Sequence, residues 1–127
     1  MANQGANNVV ATAIAVANTD TVYTNSQEIR VGEQFGLWVQ LATSGSPNVK
    51  IEIEQSYVLP TTEGSSDSNY VTPDGVASIS TLTDKNAHIF GIPLRPMRYF
   101  RLKLTGISAN PSDTTAKLIL FVQQPNN

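Results

Sequence analysis

The strictest constraint on this chain is a two-residue hydrophobic alternation that recurs along it. Phe35, Leu37, Val39 and Leu41 alternate with Gly36, Trp38, Gln40 and Ala42. Val49, Ile51 and Ile53 alternate with Lys50, Glu52 and Glu54, and Phe100, Leu102 and Leu104 with Tyr99, Arg101, Lys103 and Thr105. A period of two gives an extended strand one apolar and one polar face, and it scatters the same residues around a helix. Lys117–Gln124 is apolar in both phases, with Leu118, Leu120 and Val122 in one and Ile119 and Phe121 in the other. That predicts a central strand covered on both sides.

The weaker segments follow the same reading. Val9–Ala17 sets Val10, Thr12, Ile14 and Val16 against an alanine face, with a helix as the competing assignment. Val22–Thr24, Glu28–Val31 and Ala87–Ile92 read as short strands, Ile89 facing the core and His88 away from it. Ser44–Asn48 is a strong turn signal, so Gln34–Ala42 and Val49–Gln55 are expected to form an antiparallel hairpin. Residues 60–73 form the longest loop, with a brief strand near Tyr70, and Pro73-Asp74-Gly75 marks a turn. Val76–Asp84 leaves one turn of helix open. The expected fold is all-β: a single two-sheet antiparallel sandwich over residues 9–127, jelly-roll-like, with about eight strands. Its inward set includes Phe35, Leu37, Val39, Ile51, Ile53, Phe100, Leu102, Leu104, Leu120 and Val122. Residues 1–8 read as a flexible N-terminal arm that orders against a neighbouring chain in an assembly.

Composition supports an all-β chain. Only 14% of the 127 residues are charged, and Ser, Thr, Asn and Gln supply 42 of them. These short polar side chains suit strands and turns better than helix surfaces. The net charge of −2 hides a split. Residues 1–84 hold nine of the ten acids, and residues 85–127 hold six of the eight bases. Either the strands complement each other internally or the molecule carries an acidic and a basic face. No segment has the length of a membrane helix, and no basic region precedes Val9–Ala17, so a soluble protein outside the Sec route is expected.

Catalytic motifs are missing from the sequence. There is no cysteine and one histidine, His88, so thiol chemistry and His- or Cys-rich metal sites are excluded. Glu52 and Glu54 share a strand face, as a solvated strand would have them. No GxGxxG, P-loop, GxSxG or calcium-loop pattern occurs. The expectation is a non-enzyme with no catalytic, cofactor-binding or metal residue. Trp38 stands on the outward face of its strand, either beneath the other sheet's rim or in an intersubunit or ligand contact. Arg95, Arg98, Tyr99, Arg101 and Lys103 crowd one segment. A pI of about 5.2 argues against nucleic acid there and for a protein contact. Trp38 and these five are the expected interface residues.

Three segments carry a family resemblance: Tyr23–Gly32, Phe35–Leu41 with Val49–Gln55, and Ile92–Thr105. In this order they resemble the small jelly-roll capsid cement (decoration) proteins of tailed bacteriophages. Those show an I-D-L-G segment, an L-x-V-x-V strand with a hairpin partner, and a late L-P-x-x-R-Y-L-R-L-x-Y-T. The resemblance covers roughly residues 20–124. Arg30-Val31-Gly32 departs from it where the family has an acidic residue before Leu-Gly, and the loop at 60–73 is longer. The resemblance implies a non-enzymatic virion protein, made in the host cytoplasm. It would bind the outside of an icosahedral head, clamp the major capsid protein and self-associate, with no nucleic acid or membrane partner. Arg98–Gly106 also resembles the late strand of discoidin-like modules, which keeps a carbohydrate-binding or tail-appendage sandwich as the alternative.

Overall fold

The computed structural model describes residues 6–123, with side chains from Ala11 onward. Its strands are β1 (Ala6–Ala15), β2 (Thr21–Tyr23), β3 (Gln27–Glu28), β4 (Gln34–Ala42), β5 (Val49–Ser56), β6 (Ser80–Leu82), β7 (His88–Gly91), β8 (Tyr99–Gly106) and β9 (Thr115–Gln123). They form two sheets, one in the order β1-β9-β4-β7 and one in the order β2-β8-β5-β6, with β3 also on β8. All pairings are antiparallel. The order has a simple origin. β1 pairs β9, β2 pairs β8, β4 pairs β7 and β5 pairs β6, which is one long hairpin of successive strands. Rolling that hairpin so that β9 meets β4 and β8 meets β5 gives the two sheets of a jelly roll.

The alternating segments become the facing walls of the core. Leu37, Val39 and Leu41 from β4 and Leu118 and Leu120 from β9 meet Val49, Ile51 and Ile53 from β5 and Phe100, Leu102 and Leu104 from β8. Phe35 packs edge-on to Phe100, their ring centroids 4.7 Å apart. Each aliphatic side chain so buried stabilises the fold by roughly 1.5–3 kcal/mol. All ten residues of the expected inward set are buried.

Five expectations are corrected. Gln34–Ala42 and Val49–Gln55 do not pair as a hairpin: β4 pairs β7 and β9 while β5 pairs β6 and β8, so the turn between them crosses from one sheet to the other. Val76–Asp84 forms no helix and supplies the edge strand β6. The strand near Tyr70 is a single bridge between Val71 and Gln55. β7 has the opposite phase, because His88 pairs Val39 and Phe90 pairs Leu37, both inward residues of β4. Ile89 is therefore 80% exposed, and His88 lies on the inner side stacked on Phe90. β9 is central, yet no layer covers its outer face among the described residues. Of the arm expected over 1–8, residues 1–5 lie outside the described residues and Ala6–Asn8 open β1.

The end of the sandwich near β1 is fixed by Asn110, which is buried. Its Nδ2 donates to the Val16 carbonyl at 2.9 Å, and its Oδ1 accepts from Asn48 N at 3.0 Å and Thr114 Oγ1 at 3.1 Å. Gly106 belongs to the same knot, since a Cβ there would run into the Ala17 carbonyl.

Candidate binding face

The sequence-expected contact residues separate into three places. Trp38 is on the outer face of the four-stranded sheet. Tyr99, Arg101 and Lys103 leave the outer face of the other sheet, on the opposite side of the sandwich. Arg95 and Arg98 are exposed in the β7–β8 connection. There the 94–97 segment and the 29–33 turn form an end groove of about 390 Å³. Val31, 98% exposed, and Met97 stand at this end.

Arg101 is the main correction. Its strand phase is outward as expected, yet it is 1% exposed. The loop after β5 folds across the sheet and covers it. The guanidinium carbon lies 4.0 Å from the Tyr23 ring centre and 4.4 Å from that of Tyr70. Nε donates to Glu54 Oε1 at 3.0 Å, and Nη1 donates to the Ser65 carbonyl at 2.6 Å. Nη2 also lies 3.0 Å from Glu54 Oε1, but out of line for a hydrogen bond. Tyr70 closes the loop by donating to Ser26 Oγ at 2.7 Å, and Glu63 Oε1 accepts from Ser26 N and Oγ. Burial pushes the Tyr70 hydroxyl pKa up. Arg101 is thus a structural pin and is unavailable to a partner.

Part of the charge split is complemented across strands. Glu54 stands opposite Arg101 and Glu52 opposite Lys103 in the β5–β8 register. Arg98 rests 5.4 Å from the Tyr99 ring centre. In the turn before β7, Asp84 Oδ1 lies 2.8 Å from His88 Nε2, and that bond holds the Asp84 carboxyl below its ordinary pKa. Among the described residues no group of three His, Cys, Asp or Glu side chains converges as metal ligands would.

The outer face of the four-stranded sheet is different. Cross-strand register places Ala11, Ile119, Trp38 and Ile89 in one row across all four strands. In the next row Phe121 stands beside Gly36 and Gly91. A Cβ at Gly91 would meet nothing within 4 Å, so the two glycines leave a trough beside the aromatic side chains. Trp38, Phe121, Ile89 and Gln34 line this groove of about 500 Å³. Lys117 Nζ sits 5.7 Å from the Trp38 ring centre, within cation–π range. Trp38 is half-buried among its neighbours on the open face and is not under the other sheet. Ile119, Phe121, Ile89, Gly36 and Gly91 were not among the expected contact residues. The signal for two of them was the second apolar phase of Lys117–Gln124.

No protein-family model, curated protein or solved structure was found to match this chain.

Proposed function

We propose that this chain is a non-enzymatic structural protein that binds the outside of an icosahedral phage head and stabilises contacts of the major capsid protein. The observation that carries the reading is the apolar row on the four-stranded sheet, Ile119, Trp38 and Ile89 with Phe121 beside the glycine trough. Exposed apolar surface of this kind, rimmed by polar residues, marks protein contact sites, and tryptophan is among the residues enriched as anchors within them. The jelly-roll order of the strands and the segments Tyr23–Gly32 and Ile92–Thr105 support the cement class within that reading. Arg95, Arg98, Val31 and Met97 at the sandwich end add a second, basic contact. Attachment at two places on one rigid body gains avidity without new chemistry. Electron microscopy of heads of its own virus, with and without the purified protein, tests this. Added density on the outer surface at fixed lattice positions is expected, and unchanged heads at saturating protein would end the reading.

A second reading has one observation in its favour. Trp38 and Phe121 beside Gln34 and Gln123 offer an aromatic face with amide donors, the chemistry that holds a sugar ring. Tyr70, the aromatic of the long loop, is buried and contributes nothing to such a site. Saturable quenching or shift of Trp38 fluorescence by a glycan, with no binding to heads, would favour this alternative.

A further inference from the structure

We propose that two copies of this chain pair antiparallel through the outer edges of β1, Ala13 meeting Ala13 across a twofold axis, so that two four-stranded sheets become one of eight strands. The strand order ends at β1, and among the described residues nothing pairs with its outer edge. The other sheet edges are short: β7 has four residues, and β2 and β6 have three each. β1 has ten. Folded proteins blunt their edge strands with shortness, charge or proline. β1 is long, and the first charged residue of the chain is Asp20.

The backbone phase says which groups are offered. Val16 N donates to Thr114 O at 2.9 Å, which makes that pair hydrogen-bonded in the β1–β9 register. In an antiparallel ladder the hydrogen-bonded positions alternate. Ile14 and Thr12 therefore direct their backbone groups to β9, and Ala11, Ala13 and Ala15 direct theirs to the open edge. A twofold at Ala13 sets Ala11 against the other copy's Ala15 and Thr12 against its Ile14. The edge is self-complementary, as an isologous contact between identical chains requires. The twofold stands perpendicular to the sheet, so both Trp38 grooves look the same way. On the cement reading, which this last consequence rests on, the dimer would present two grooves to one surface.

Analytical ultracentrifugation of the full chain tests the pairing without any head present, so its failure is separate from failure of the cement reading. A dimer is expected at micromolar concentration. Ala13→Pro removes an N–H that faces away from β9, and an edge strand tolerates proline there. It should keep the circular dichroism spectrum and weaken the dimer by at least tenfold. Ala11→Lys with Ala15→Lys puts lysine opposite lysine and should give monomer, whereas Ala11→Glu with Ala15→Lys puts opposite charges together and should restore the dimer. A wild-type monomer at about 100 μM, or a dimer indifferent to all three variants, would overturn the proposal.

Discussion

Arg101 Nε donates to Glu54 Oε1 at 3.0 Å beneath a loop to which neither residue belongs. Removing one partner of a buried pair strands the other charge. Arg101→Ala should cost about 3–5 kcal/mol in urea unfolding. Replacing both residues by leucine should cost less than Arg101→Ala alone, because no charge is left behind. Arg101→Glu should unfold the protein and not merely loosen an attachment.

Tyr70 holds the same loop from the other side. Tyr70→Ala should cost about 3–5 kcal/mol, as for other large buried aromatics, and should make residues 57–73 the first site of limited proteolysis. The raised Tyr70 pKa also has a sign. Its stabilising contribution is complete below the ordinary value of 10.0 and is lost as pH rises through the higher folded value. The wild type should therefore lose more stability than Tyr70→Phe in alkaline unfolding.

Asn110→Ala removes a buried side chain that serves three partners. It should destabilise by at least about 1–3 kcal/mol, the penalty for one unsatisfied buried group. Hydrogen exchange should rise at the Asn48 amide, whose acceptor is lost.

Asp113 ties the β4–β5 turn to the β8–β9 turn. Its carboxylate accepts from Thr43 Oγ1 at 2.7 Å and Ser44 N at 3.0 Å, which lowers its pKa below 3.8. A lowered carboxylate stabilises above its unfolded pKa, and that stabilisation is lost as pH falls through the folded value. The stability difference between wild type and Asp113→Asn should be largest near neutrality and shrink below about pH 4.

The sandwich was readable because strand alternation exposes the core directly. Phe35 to Leu41, Val49 to Ile53 and Phe100 to Leu104 each declare their buried face by period alone. Period does not say what lies over the other face. Arg101 and Lys103 share one phase on β8, and the path of the 57–73 loop, together with the Tyr23 ring, buries the first and leaves the second half-buried. Conversely, Ile119 and Phe121 read as covered because they are apolar, yet the fold leaves their side open. The phase of β7 escapes its sequence for a related reason. In a four-residue strand with Ile89 and Phe90 adjacent, the phase is set by pairing with β4 and not by the residues themselves. The groove depends on Gly36 and Gly91, far apart in sequence, meeting in register across β4 and β7.

The proposed role rests on attachment to a phage head through the open sheet face around Trp38. Co-sedimentation of the purified chain with heads of its own virus, compared with a Trp38→Ser variant of unchanged thermal stability, tests it most directly. The wild type should bind saturably, and the variant should bind at least about tenfold more weakly, as loss of a buried tryptophan anchor implies. A wild-type chain that stays in the supernatant, or a Trp38→Ser chain that binds as the wild type does, would contradict the account.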